Sequence, residues 1–181
     1  MLRAIIIIML AGMMVLHCAS GIAQGVGKEE MITRPDKGTE IAVMQVLDDY
    51  SQAFEARDAD AVLALYASDP SPVVIGTGED EKRIGKKELK AQIERDFAQT
   101  GTMVWEWGWH RVSMAGPVAL VAADFVARAI IDKEDKVYPG RLTAALEKQG
   151  DKWLIVQWHA SMPAGGQAPG ESFPRKGKGR Y

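Results

Sequence analysis

Apolar residues in the first part of the chain recur at three- and four-residue steps. Ile41, Met44, Leu47, Tyr50 and Phe54 share one face if 40–56 is helical. Thr39 is the expected N-cap, with Asp36 and Lys37 in the approach. Arg57-Asp58 breaks the pattern, and a second helix restarts at 58–60 with Val62, Leu63, Leu65 and Tyr66 apolar. Asp69-Pro70-Ser71-Pro72 ends it, because a proline ring clashes with the helical turn before it. Val73-Val74-Ile75 reads as a short strand and 76–83 as a polar, glycine-containing loop. A third helix opens at Gly85-Lys86-Lys87-Glu88 and carries Leu89, Ile93 and Phe97.

After residue 101 the period drops to two. Segments 102–114 and 117–132 alternate as strands do, with Ala115-Gly116 as the turn between them. Two further runs of strand formers, 141–147 and 152–161, flank the hairpin-turn signal Gln149-Gly150-Asp151. Pro163 ends the last strand, having no N–H for a ladder. Helix, helix, strand, helix and four long antiparallel strands predict an α+β fold, its helices packed on one face of a curved sheet. The chain shows no internal repeat.

With 181 residues, 47% of them hydrophobic, the chain suffices for one domain with a real core. A net charge of −2 lacks the clustered basic face that nucleic acid requires, leaving only Arg175, Lys176, Lys178 and Arg180 near the end. Met1-Leu2-Arg3 followed by apolar 4–16 and by Gly21-Ile22-Ala23 has the layout of a removable signal peptide, residues 1–23. The apolar run falls short of the ~20 residues that span a bilayer. An exported protein, periplasmic or extracellular, is expected. The alternative is a lipid anchor on Cys18, for which His17 is a poor neighbour. Cys18 is the only cysteine, so a chain starting at Gln24 has neither disulfide nor thiol nucleophile. Residues 24–38 read as a flexible lead-in, 39–163 as the domain and 164–181 as a disordered basic tail.

Few side chains suggest chemistry. Asp124 sits in a segment that reads as apolar on both faces, where a carboxylate is costly unless paired; it is either a general base with a raised pKa or a partner of Arg111, Arg128 or Arg141. Arg141 and His159 meet across the last hairpin if its turn has three residues, and would then bind an anionic group; Ser161 shares their face. The bland alternative is a His–Ser–backbone network closing the strand end. Trp105, Trp107 and Trp109 alternate onto one face, as a pocket floor or an interface stripe, with Glu106 and His110 on the other. Tyr50 either points its hydroxyl into a pocket or packs beside Phe54. No nucleophile elbow, phosphate cradle or dinucleotide fingerprint is present, and His110, His159 and Glu79-Asp80-Glu81 lack metal-ligand spacing, so no cofactor and no metal are expected.

Three segments, in order, resemble the SnoaL-like branch of the nuclear-transport-factor-2-like superfamily. They are the helix–Asp58-x-Asp60–helix stretch from Tyr50 to Tyr66, Ile75-Gly-Thr-Gly-Glu-Asp-Glu81 with Gly85, and Arg141-x-Thr143 followed by Trp153, His159 and Ser161. The last is also similar to the association domain of calcium/calmodulin-dependent protein kinase II. The resemblance covers 39–163. It implies a cone-shaped α+β barrel with three N-terminal helices on a curved antiparallel sheet, one pocket between them, and dimerisation through the outer sheet face. Ketosteroid isomerase shares this fold. Its helix-one tyrosine falls at Tyr50, but its base falls near Val74 and its second aspartate near Arg141. Two arginines of the kinase hub domain fall at Ala144 and Ala160. The resemblance therefore implies a ligand-binding domain without chemistry of its own, a homodimer holding a small, partly apolar molecule. The alternatives are a lyase or isomerase of the polyketide-cyclase or ketosteroid-isomerase type, with Asp124 or His159 as base and Tyr50 as oxyanion donor, and an oligomerisation scaffold built on the tryptophan face.

Overall fold

The computed structural model describes residues 32–164 and Gly170. The leader expected at 1–23, most of the lead-in and nearly all of the tail lie outside the described residues. Nine elements follow in order: α1 (Lys37–Glu55), α2 (Ala59–Ala64), β1 (Val73–Ile75), β2 (Lys82–Ile84), α3 (Gly85–Gln99), β3 (Met103–Ala115), β4 (Val118–Ile131), β5 (Glu134–Gln149) and β6 (Lys152–Ser161). They form an α+β fold in which the helices precede and pack on a curved, unclosed sheet of order β2-β1-β6-β5-β4-β3. Among the described strands only β1 and β6 pair in parallel. Among the described residues no helix is long and apolar enough to cross a membrane.

Local chemistry sets the helix ends. Asp36, not Thr39, caps α1: its carboxylate accepts from the Thr39 N–H at 2.9 Å and the Thr39 hydroxyl at 2.7 Å, so the helix starts before the expected cap. Asp58 caps α2 through the Ala61 N–H at 2.9 Å. At the head of α3, the Glu88 carboxylate reaches back to accept from the Ile84 N–H at 2.8 Å, satisfying the donor of the N-cap residue. The end of the lead-in is tied down, since Thr33 and Met114 exchange two backbone hydrogen bonds of 2.9 Å.

Two strands differ from expectation. Part of the loop expected at 76–83 returns as β2, paired with β1. Strand β5 begins at Glu134 rather than at 141, entered through Asp132 and Lys133, both at positive φ (53° and 66°), the backbone of a tight hairpin turn. Pro139 does not prevent this, because β6 pairs with β5 only from Arg141 onward, and one side of the strand is open there.

Burial along β4 alternates without exception from Ala119 to Ala129, correcting the view of that strand as buried on both faces. Ala119, Val121, Ala123, Phe125, Ala127 and Ala129 face the helices, while Leu120, Asp124, Arg128 and Ile130 are exposed. Helices cover only one face of this sheet, so apolar residues on its other face stay open. The core lies between α1, α3 and the covered face, with Val43, Leu47, Tyr66, Ile93, Leu142, Leu146 and Ile155 essentially sealed. Gly140 lets β5 cross the Phe125 ring, where a Cβ would come within 2.1 Å of Phe125 Cζ.

Strand β3 carries a bulge. Trp107 is opposite Phe125 and His110 opposite Ala123, so Gly108 and Trp109 together face Asp124. The expected parity therefore fails beyond Gly108. Trp105 and Trp107 turn inward, Trp109 is 64% exposed, and His110 shares the covered side with Val112, its Nε2 3.8 Å from Glu40 on α1.

Candidate functional site

A cavity of about 280 Å³ lies between α1, α3, the β1–β2 hairpin and the covered sheet face. Most of its wall is aromatic. Tyr50 stacks on Trp158 with centroids 4.6 Å apart and meets Phe54 at 4.8 Å, and Trp105 lies 4.8 Å from Phe125. Tyr66 and Tyr138 complete the lining rings. Helix α1 fixes the position of Trp105 directly: the Ser51 hydroxyl donates to the Trp105 carbonyl at 2.8 Å and accepts from its N–H at 2.9 Å. The indole nitrogens of Trp105 and Trp107 are buried without a hydrogen-bond acceptor.

The remaining wall is polar and is organised by Gln92. Its Nε2 donates to Asp96 Oδ1 at 2.7 Å and to Glu81 Oε1 at 3.2 Å. Its Oε1 accepts from Arg83 and Arg95, each at 2.7 Å. Glu81 also accepts from the Gly78 N–H at 2.8 Å and lies against Gly76, where a Cβ would fall 2.3 Å from Glu81 Oε2. The two glycines thus let the loop close over a carboxylate at the cavity edge. Burial pushes the Asp96 carboxyl up to about 6; the Glu81 charge adds to this, while the Gln92 hydrogen bond and the Arg95 and Arg83 charges oppose it. Burial likewise holds the Tyr50 hydroxyl well above its ordinary range, with Tyr66, Asp96 and Glu81 contributing. Burial raises the Tyr66 hydroxyl in the same way. The cavity can therefore hold a mainly apolar molecule and offer its polar end a proton acceptor or donor.

Of the side chains singled out in the sequence, Tyr50, Trp105 and Val74 line this cavity. Asp124, Arg141 and His159 do not. They are exposed on the outer sheet face, where Asp124 is opposite Arg141, Arg141 opposite Ser161 and Thr143 opposite His159. The turn at Gly150-Asp151 has two residues, and a bulge at Val156 keeps Arg141 and His159 on one face but two positions out of step. Asp124 is thus not the desolvated carboxylate of the pocket, since no helix covers its side of the sheet. The interface reading also fails for Trp105 and Trp107, whose rings pack inward. Among the described residues no three His, Cys, Asp or Glu side chains converge as a metal centre. Glu81, Arg83, Gln92 and Asp96 were missed by the sequence reading. Their signal is a polar interruption, Gln92 and Asp96, of the apolar face that α3 forms with Leu89, Ile93 and Phe97.

A family model described as a SnoaL-like domain matches residues 43–165. No curated protein matches. Several solved structures share the fold. A protein of Novosphingobium aromaticivorans provisionally named a scytalone dehydratase is 16% identical, with a TM-score of 0.64 over 70% of this chain and 85% of that one. An NTF2-like protein of unknown function from Pseudomonas putida is 26% identical, with a TM-score of 0.61 over 71% and 89%. A Xanthomonas campestris protein provisionally named a calcium/calmodulin dependent protein kinase II association domain is 21% identical, with a TM-score of 0.62 over 71% and 89%.

Proposed function

Because the chain belongs to the SnoaL-like domain family, within the NTF2-like superfamily, we propose that it works through the pocket between helices and sheet, binding a small, partly apolar, ring-bearing molecule. The observation that carries this reading is the make-up of the cavity wall: packed rings of Tyr50, Trp105, Phe125 and Trp158 together with Gln92 and the half-buried Asp96 carboxyl. Apolar walls with a few convergent polar groups are the usual composition of a small-molecule site. A thermal-shift screen of the full chain with aromatic amines, ring ketones and phenols tests it. A ligand at 100 times its dissociation constant should stabilise the fold by about 2.7 kcal/mol. A screen in which none of these classes moves the melting temperature sinks the proposal.

Asp96 favours a second reading, proton transfer of the isomerase or dehydratase type. Val74, at the position implied for an isomerase base, lines the cavity but has no proton acceptor; Asp96 supplies one from α3, with Tyr50 as a hydroxyl donor. Deuterium exchange at the carbon beside the carbonyl of a bound ring ketone, followed by NMR, tests this. Exchange should rise with pH as Asp96 ionises through about 6 and vanish in Asp96→Asn.

Two further elements belong to the same proposal. Export follows from the leader read at 1–23, and a mature chain lacking those residues by mass spectrometry checks it. Pairing of two copies through the outer sheet face is supported by exposed Leu120 (39%), Ile130 (42%) and Val137 (52%) there.

A further inference from the structure

We infer that the molecule this pocket takes is an organic cation, a small amine or quaternary ammonium carrying an apolar ring. The inference rests on the pocket reading above and assigns the class of its ligand. Three charged side chains line the cavity: Glu81, Arg83 and Asp96. Arg83 is already engaged, donating to the Lys82 carbonyl at 2.8 Å and to Gln92 Oε1 at 2.7 Å, with the Asp80 carboxylate 3.6 Å away. Glu81 has a backbone N–H and Arg95, at 3.4 Å. Asp96 is different: among the described residues its carboxylate meets one neutral donor, the Gln92 amide, and no cation within ion-pair distance. The lining thus carries one negative charge in excess, on the side chain least compensated within the protein.

The same cavity is lined by the rings of Tyr50, Trp105, Phe125 and Trp158. An ammonium group gains twice in such a place, from the negative faces of aromatic rings and from a carboxylate partly shielded from water. An anion would meet Asp96 and Glu81 together and be repelled. A neutral ring would gain apolar contact but leave the half-buried Asp96 charge uncompensated. The raised pKa of Asp96 agrees with an unfilled need for a positive partner.

The three classes separate by pH. A permanent cation binds the ionised carboxylate, so its affinity rises with pH through about 6, whereas a carbonyl accepting from the protonated carboxyl binds better below it. The charged and titratable groups around Asp96 are Tyr50 on α1, Tyr66 after α2, Asp80, Glu81 and Arg83 on the β1–β2 hairpin, and Arg95 on α3. Burial keeps both tyrosines neutral across this window.

Isothermal titration of the full chain with benzyltrimethylammonium, 4-phenylbutan-2-one and phenylacetate, at about pH 5 and about pH 7, decides the matter. The expected result is binding of the ammonium compound alone or most tightly, roughly tenfold tighter at the higher pH, with loss of that pH dependence in Asp96→Asn. The wild-type profile stands even if the variant folds poorly. Ketone or phenylacetate binding without the ammonium compound overturns the cation and leaves the pocket reading intact. Ammonium binding that ignores pH also overturns it. Failure of all three to bind overturns the cation and counts against the pocket itself.

Discussion

Gln92 holds Asp96 from one helical turn away, its side-chain Nε2 2.7 Å from Asp96 Oδ1, while its Oε1 takes hydrogen bonds from Arg83 and Arg95. A neutral amide thus separates two guanidinium groups from a carboxylate that would otherwise pair with them. The arrangement leaves Asp96 hydrogen-bonded yet without a cation of its own. Gln92→Glu would place a third carboxyl beside Asp96 and Glu81 and should push the Asp96 pKa higher still, readable by NMR titration.

Asp96 should make the fold less stable as pH rises. An ordinary carboxyl loses its proton near 4, and the folded state holds this one to about 6. Between those values the folded state binds more protons than the unfolded state, so stability declines with rising pH across the window. Urea unfolding of wild type should lose about 1–2 kcal/mol from this group between its two ends, after allowance for partial solvent screening. Asp96→Asn should remove that slope.

Gly140→Ala should destabilise by about 3 kcal/mol, because the added carbon would overlap the Phe125 ring at 2.1–2.7 Å. Combining it with Phe125→Leu should recover part of the loss. The non-additivity, measured in a double-mutant cycle by chemical denaturation, reports the contact directly.

The tryptophans of β3 should behave as two kinds of residue. Trp105→Ala, which empties space beside Tyr50, Phe54 and Phe125, should cost about 3 kcal/mol. Trp109→Ala should change stability by less than about 0.5 kcal/mol. If the outer face joins two copies near this bulge, sedimentation will show the second variant shifted toward monomer.

Asp124→Asn and His159→Ala should leave ligand affinity in the pocket unchanged, since both side chains are on the open side of the sheet. Tyr50→Phe should weaken it by removing one lining hydroxyl. Loss of affinity in Asp124→Asn and His159→Ala with Tyr50→Phe unaffected would relocate the site to the outer face.

Much of the fold was legible in the sequence because burial imposes period. The helical step of Leu47, Tyr50 and Phe54 stands in the structure, and so does a hairpin turn at the Gln149-Gly150-Asp151 signal, although Gln149 pairs with Lys152 and the turn has two residues rather than three. Membership of the superfamily was legible too, through three short segments in the right order. The site was less so. Asp124 was misjudged because apolar residues on an uncovered sheet face, Leu120 and Ile130, look the same in a sequence as buried ones. His110 and Trp109 exchanged roles because one bulge moves every later side chain across the sheet. Gln92 and Asp96 were visible as polar steps on an apolar helix face, but their meaning depends on Arg83 and Glu81 from a hairpin that sequence period does not reveal.

That bulge acts as a frameshift written in space. Ahead of Gly108, odd-numbered positions of β3 turn inward and place Met103 and Trp105 in the pocket wall; past Trp109, even-numbered positions meet the opening turns of α1 through His110 and Glu40. The strand carries two messages in two phases, and the spare residue is the only punctuation between them. Deleting it would not shorten β3 so much as garble one half, forcing either Trp105 and Trp107 outward or Val112 into water.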